Sequence, residues 1–164
     1  MTHLETERLR FRKWRKDDFP RFHKYFSDEE NTRFLGGVKD IEGSWRTMAA
    51  YLGNFELQGF TYLAIEEKSS GVLAGTVGLW NSEGWPEPEL GYWLLEESQG
   101  KGYAYEAGMK VLEFARHETD LKSLVSYIHK DNHPSIALAT KLGATFDGET
   151  ELLTFGLHGV YRYW

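Results

Sequence analysis

Cysteine is absent from the 164 residues, which removes disulfides, zinc–thiolate centres and thiol nucleophiles in one step. An excess of positive charge is missing too: 19 Lys and Arg face 25 Asp and Glu, for a net charge of −6. Nucleic-acid binding draws much of its affinity from cations clustered against phosphates, so that class of partner is not expected. No apolar run approaches the ~20 residues of a membrane-spanning helix, and no membrane partner is expected. The opening MTHLETERLRFRKW is charged from residue 5 onward and has no apolar core, so it does not read as a secretory signal. The expected compartment is the cytoplasm. Internal repeats, low-complexity tracts and long linkers are also lacking, and the length suits a single domain over residues 1–164.

What is present is rich in rings and in regular patterning. Aromatic residues make up 15% of the chain, six of them Trp, enough to build a core and also to wall a cleft. Residues 4–15 read as a first strand with imperfect alternation, and Arg8, Arg10, Arg12, Lys13, Arg15 and Lys16 as its solvated face. A helix is expected over 16–27, with Asp17 and Asp18 at its positive end and Pro20 in its first turn. A second covers 39–58, with Trp45, Met48, Ala49 and Leu52 at helical spacing. Strands 60–66 and 72–80 flank the turn KSSG, and a loop over 81–88 leads into the apolar strand 89–95.

The best-patterned helix follows. Ala104, Ala107, Gly108, Val111, Leu112 and Ala115 form one apolar stripe, with Glu106 and Lys110 as an i,i+4 pair beside it. Then come a strand over 123–129, a helix over 134–142 opened by Pro134 and closed by Gly143, and a closing pair of strands over 144–164. Strands 89–95 and 123–129 are joined through a helix, which makes them parallel neighbours in an otherwise antiparallel sheet. The class is α+β (mixed α/β), one sheet flanked by helices.

Chemistry concentrates between the strand 89–95 and the patterned helix, in the run Gln99-Gly100-Lys101-Gly102-Tyr103-Ala104. Glycines there let successive N–H groups turn one way, and the helix start adds unpaired donors, a cradle suited to phosphate. A plain tight turn is the other use of such a run. The loop has no Gly-Lys-Ser/Thr ending and no third glycine of a dinucleotide fingerprint, so both of those phosphate motifs are excluded.

The same run resembles the Gln/Arg-x-x-Gly-x-Gly/Ala motif of the GNAT superfamily, the GCN5-related N-acetyltransferases. The opening Leu4-Glu5-Thr6-Glu7-Arg8-Leu9-Arg10-Phe11-Arg12 is similar to that of its RimJ/RimL-type branch, the ribosomal-protein-alanine acetyltransferases. So are Glu89-Leu90-Gly91-Tyr92-Trp93-Leu94, Asn132-His133-Pro134-Ser135 and Lys141-Leu142-Gly143. The resemblance spans about residues 4–145. It implies the acyl-CoA N-acyltransferase fold, with a splayed parallel strand pair. It also implies acetyl-CoA as cosubstrate and no metal.

The implied site follows residue by residue. The loop Gln99, Gly100, Lys101, Gly102, Tyr103 and Ala104 would take the pyrophosphate, with Lys101 adding charge or remaining a solvated lysine. Backbone groups of Trp93, Leu94 and Leu95 would pair with the pantetheine arm. The N–H of Trp93 or Leu94 would serve as oxyanion donor. Asn132 would reach the arm from the far side, unless it only shapes the helix entry. Many members carry a Tyr acid where this chain has Ala139, so Ser135 would stabilise the leaving thiolate; its other use is as an ordinary first-turn serine.

Glu89 is the expected general base, on one strand face with Trp93 by parity and more than ~10 Å from it at about 3.3 Å per residue, so its proton would travel through water. A solvent-facing strand-edge carboxylate is the alternative. Glu87, Tyr92 and His158 are reserves, His158 being read as a surface turn residue. After Lys141-Leu142-Gly143 the family has Phe, whereas this chain has Ala144 and then Phe146, which predicts a local shift in the next strand.

The acceptor would be a protein N-terminus, a polyamine, an amino sugar or another small amine, and a homodimer is compatible with all of these. Two rivals remain: a non-catalytic acyl-CoA sensor on the same fold, and a phosphate-binding interaction module.

Overall fold

The computed structural model describes residues 1–164. Seven strands form one sheet in the order β1-β2-β3-β4-β5-β7-β6. They are β1 (Leu9–Arg12), β2 (Tyr62–Glu67), β3 (Leu73–Trp80), β4 (Glu89–Leu94), β5 (Val125–Ile128), β6 (Thr145–Glu151) and β7 (Leu157–Arg162). The helices are α1 (Phe19–Phe26), α2 (Glu29–Thr32), α3 (Ile41–Gln58), α4 (Tyr103–His117) and α5 (His133–Lys141). Every strand pair is antiparallel except β4 with β5, as the helical connection between them predicts. No helix is long and apolar enough to cross a membrane.

Alternation along the strands sorts the core onto two faces. Leu90, Tyr92 and Leu94 of β4 pack with Ala107, Val111, Leu112 and Ala115 of α4, so the predicted stripe is the buried one. On the opposite face Trp93 and Leu95 pack with Trp14, Phe22, Tyr25, Phe26, Met48 and Tyr51, which ties β4 to α1 and α3. Tyr25 stacks on the Trp93 ring at 4.2 Å and Trp14 at 5.7 Å, so the strand is pinned by aromatic contact.

Several expectations are corrected. The first strand runs only from Leu9, because Thr6 turns the chain: its N–H donates to the Leu9 carbonyl at 2.9 Å while its Oγ1 accepts from the Leu9 N–H at 3.0 Å. The basic run is not uniformly solvated, since Arg12 is buried between Asp18 and Glu66, donating at 2.7 Å to each. In α3 the buried side is Ser44, Met48, Tyr51 and Asn54, while Trp45 and Ala49 are exposed. Polar groups are tolerated there because each is satisfied: Ser44 meets His23 at 2.9 Å and Asn54 donates to the Phe60 carbonyl at 3.0 Å. Glu106 and Lys110 do not pair; Glu106 turns to Arg8, and Lys110 to Glu113.

The β6–β7 register does shift, between Phe146 and Glu149. Ala144 fills the buried position, and Phe146 lies on the surface, 61% exposed.

Candidate active site

The parallel pair has one register partner, Glu89 with Val125, against six for β3 with β4. Beyond it β4 and β5 diverge, and the gap widens toward the loop that follows β4. What crosses the gap is side-chain chemistry: Ser126 donates to the Leu90 carbonyl at 2.6 Å, and the Tyr92 hydroxyl donates to the Ser135 carbonyl at 3.0 Å.

Backbone parity decides which groups of β4 face this gap. The Leu95 N–H donates to the Ala74 carbonyl at 2.9 Å, so it belongs to β3. Alternation turns the Trp93 backbone the same way, and a Cβ on Gly75 would lie 2.3 Å from the Trp93 carbonyl oxygen. The expectation for Trp93 and Leu95 is therefore corrected: Tyr92 and Leu94 present their backbone groups to the gap, and Trp93 contributes its side chain.

The loop after β4 is ordered by two left-handed glycines, Gly100 at φ 71° and Gly102 at φ 81°, the second capping α4. No atom of the protein lies within 4 Å of a Cβ built on Gly100, and only Arg8 Nη2, at 3.5 Å, approaches one on Gly102. Backbone conformation, not crowding inside the protein, is what calls for glycine. Residues 100–105 donate none of their six N–H groups within the protein; the first helical bond is from Glu106 to Gly102. Six successive free donors at a helix start form an anion cradle. Gln99 is turned away, donating from Nε2 to the Leu94 carbonyl at 3.1 Å, and the exposed Lys101 reaches over the Tyr103 ring.

Arg8 holds this loop from a segment more than 90 residues away. Its Nη1 donates to the Lys101 carbonyl at 2.9 Å and its Nε to Glu106 Oε2 at 2.7 Å, with the guanidinium over the Tyr103 ring at 4.7 Å. Glu106 also accepts from the Arg8 N–H at 2.9 Å and from the Thr6 hydroxyl at 2.5 Å. Sequence reasoning assigned no role to this contact; its only trace was the similarity of the opening segment.

Between β4, β5 and α3 lies a cavity of about 330 Å³. It brings Glu89, Trp93, Asn132 and Ser135 together, and Tyr92 and His158 as well, while the loop 99–104, Leu94, Leu95 and Glu87 lie outside its lining. Asn132 caps α5, accepting from the Ser135 N–H at 3.4 Å, and still faces the cavity, so the structural and cavity-facing uses coexist.

Glu89 shares a face with Trp93, as parity predicts, because the β3–β4 register is unbroken from Leu94 to Glu89. It is buried, not solvent-facing, and burial pushes its carboxyl up to about 8. Tyr62 and the Tyr127 backbone lie close enough to oppose the rise, while the indole N–H of Trp85 makes no hydrogen bond within the protein. Gly91 makes room for one of these, since a Cβ there would fall 2.4 Å from the Tyr62 hydroxyl. The indole N–H of Trp93 is buried without a hydrogen-bond partner.

The reserves separate cleanly. Glu87 is clamped by two 2.8 Å hydrogen bonds from Arg162, which hold its carboxyl down to about 2. Tyr92 is a committed donor whose hydroxyl is raised by burial. His158 is not a surface residue: it is buried, its Nδ1–H donates to the Gly156 carbonyl at 2.9 Å, and its ring meets His129 edge-on at 5.9 Å. A carbonyl only accepts, so the neutral ring keeps an acceptor at Nε2.

Residues 8–145 match the family described as acetyltransferase (GNAT) domain. The acetyltransferase from Agrobacterium tumefaciens strain C58 is 32% identical with a TM-score of 0.89, covering 98% of this chain and 93% of that one. The uncharacterized N-acetyltransferase p20 of Bacillus licheniformis is 29% identical over 152 residues, 90% of this chain and 85% of that protein. RimL, a ribosomal L7/L12 α-N-protein acetyltransferase solved in complex with coenzyme A, is similar in fold alone, at 19% identity, a TM-score of 0.74, and 96% and 94% coverage.

Proposed function

This chain belongs to the GNAT acetyltransferase family and is an acetyl-CoA-dependent acetyltransferase; we propose that its acceptor is a primary amine, which attacks the thioester directly without an acyl-enzyme intermediate. The observation that carries this is the run of six free N–H groups at 100–105, set beyond a strand gap that opens from the Glu89 cavity. The loop Gln99–Ala104 binds the pyrophosphate through backbone donors, with Gln99 and Lys101 shaping its edge. The pantetheine arm lies along β4 against the backbone groups of Tyr92 and Leu94, and Asn132 meets it from α5.

The amine nitrogen bonds to the acetyl carbon, and the carbonyl oxygen gains charge beside a backbone N–H of Tyr92 or Leu94. Glu89 takes the amine proton through water. The C–S bond then breaks, and the Ser135 hydroxyl donates to the departing thiolate. A thiolate with a pKa near the ~8.5 of a free thiol needs no stronger acid.

The test pairs two measurements on the purified protein. CoA is expected to bind with a readily measured heat, dephosphorylated pantetheine at least about tenfold more weakly, because the phosphate contacts are lost. Free thiol is expected to appear from acetyl-CoA only when an amine is added. Binding without thiol release under any amine would make the protein a sensor; equal binding of CoA and pantetheine would remove the loop from the site.

Arg8 acts on the loop from behind. Replacing it with alanine removes two charge-assisted hydrogen bonds, and CoA affinity is expected to fall about tenfold with kcat little changed. Lysine should not restore it, since the fork that reaches Lys101 and Glu106 together is lost. Titration calorimetry decides, and wild-type affinity in Arg8→Ala would leave the clamp without consequence.

A further inference from the structure

Glu89 lies between two groups of rings. On one side Tyr62 stacks on Trp80 at 5.6 Å, with Tyr51 edge-on to both at 5.3 and 5.8 Å. On the other, Trp85 meets Tyr127 at 6.2 Å and Phe155 at 6.0 Å, both edge-on. All six rings line the cavity, and Glu89 is the only carboxylate in its wall. Tyr62 lies beside the Glu89 carboxyl on the first side and the backbone of Tyr127 on the second, where the buried indole N–H of Trp85 has no hydrogen-bond partner.

The rest of the lining narrows what can enter. Lys39 and His129 lie in the same wall, so a second ammonium on the acceptor would meet no second carboxylate. The hydroxyls of Thr47 and Ser126 already donate to the Gly43 and Leu90 carbonyls, at 2.9 and 2.6 Å. A sugar would bring several hydroxyls to a wall made mainly of ring faces, whose buried unpaired donors are the indole N–H groups of Trp85 and Trp93, and a peptide would bring unpaired amides. A single ammonium is different: ring faces attract it, and one carboxylate completes its pairing.

We propose that the acceptor is an arylalkylamine, a compact monoamine whose amino group is linked to Glu89 through water while its aromatic ring lies between the two ring groups. This rests on the acyl-transfer function proposed above. It excludes polyamines, amino sugars and protein N-termini as preferred acceptors. Trp80 and Trp85 are then specificity residues that act on the body of the acceptor, remote from the thioester.

The experiment compares 2-phenylethylamine, spermidine, glucosamine and an alanine-terminated tripeptide by thiol release from acetyl-CoA, with CoA binding followed separately by calorimetry. The value of kcat/KM for 2-phenylethylamine is expected to exceed each of the others by about tenfold or more, the scale on which an apolar pocket discriminates. Trp85→Leu should lower that value about tenfold through KM while CoA affinity stays at wild type. Phe155→Ala, altering a ring that is 42% exposed, gives the same comparison should the first variant misfold. Preference for any of the other three amines, equal use of all four, or turnover of none would overturn the assignment while CoA binding leaves the acetyltransferase intact. Failure to bind CoA would instead remove the acyl-transfer site on which the assignment stands.

Discussion

Gly102→Val is expected to lower CoA affinity about a hundredfold while the protein remains folded. Gly102 caps α4 at φ 81° and ψ 5°, a left-handed conformation that a β-branched residue reaches only at ~1–3 kcal/mol. Its Cβ would meet nothing in the protein closer than Arg8 Nη2 at 3.5 Å, so the core has no reason to move. The strain relaxes instead by rotating the peptides on either side, and these carry two of the six free N–H groups. Losing even two charge-assisted hydrogen bonds accounts for an effect of about that size. Calorimetric titration with CoA, beside a thermal melt, separates binding from folding. A folded Gly102→Val protein that bound CoA like the wild type would show that the pyrophosphate lies elsewhere.

Glu89→Gln is expected to slow turnover about a hundredfold near pH 7 and to stabilise the protein at the same time. A positioned general base contributes about 10²–10⁴ in rate, and the amide cannot take the proton. In the wild type kcat/KM should rise with pH toward about 8, where Glu89 ionises and more of the amine is neutral. The variant should recover in part at high pH, where the acceptor arrives without its proton. Parallel profiles for the two proteins from about pH 6 to 10 would reduce Glu89 to a structural carboxyl.

The stability effect has a definite sign. The folded protein holds the Glu89 proton up to about 8, while the unfolded chain releases it near 4.5. The unfolded state therefore gains on the folded one as pH climbs through that window, and the amide escapes the trend. The melting temperature of Glu89→Gln should match the wild type near pH 4 and exceed it increasingly up to about pH 8. A carboxylate that costs the fold stability is the kind of group retained for chemistry.

How much of this was legible beforehand depended on the range of the interaction. The α4 stripe, the strand around Trp93 and the Gly100–Gly102 turn all follow from neighbours within a few residues, and each lies where the pattern puts it. The side chains that complete the site are set by long-range pairing. Arg8 looks like one more solvated cation until Glu106, 98 residues on, is brought beside it. His158 sits in a Leu-His-Gly stretch that reads as an exposed turn, but β7 pairs with β5 and carries it into the cavity wall. The backbone of Leu95 looked available because periodicity along one strand does not say which neighbour takes its N–H first; Ala74 does.

The divergence of β4 and β5 has a mechanical consequence. The sheet is two half-sheets meeting along a seam, and the β4–β5 ladder holds them over one residue pair and a few side-chain bridges. Fluctuations concentrate where few bonds must break together, and this seam has few. A pantetheine arm lying there works as a missing strand and ties one half to the other. Loading the cosubstrate would then be partly an act of assembly: the catalyst becomes rigid around its reagent, and product departure loosens it again.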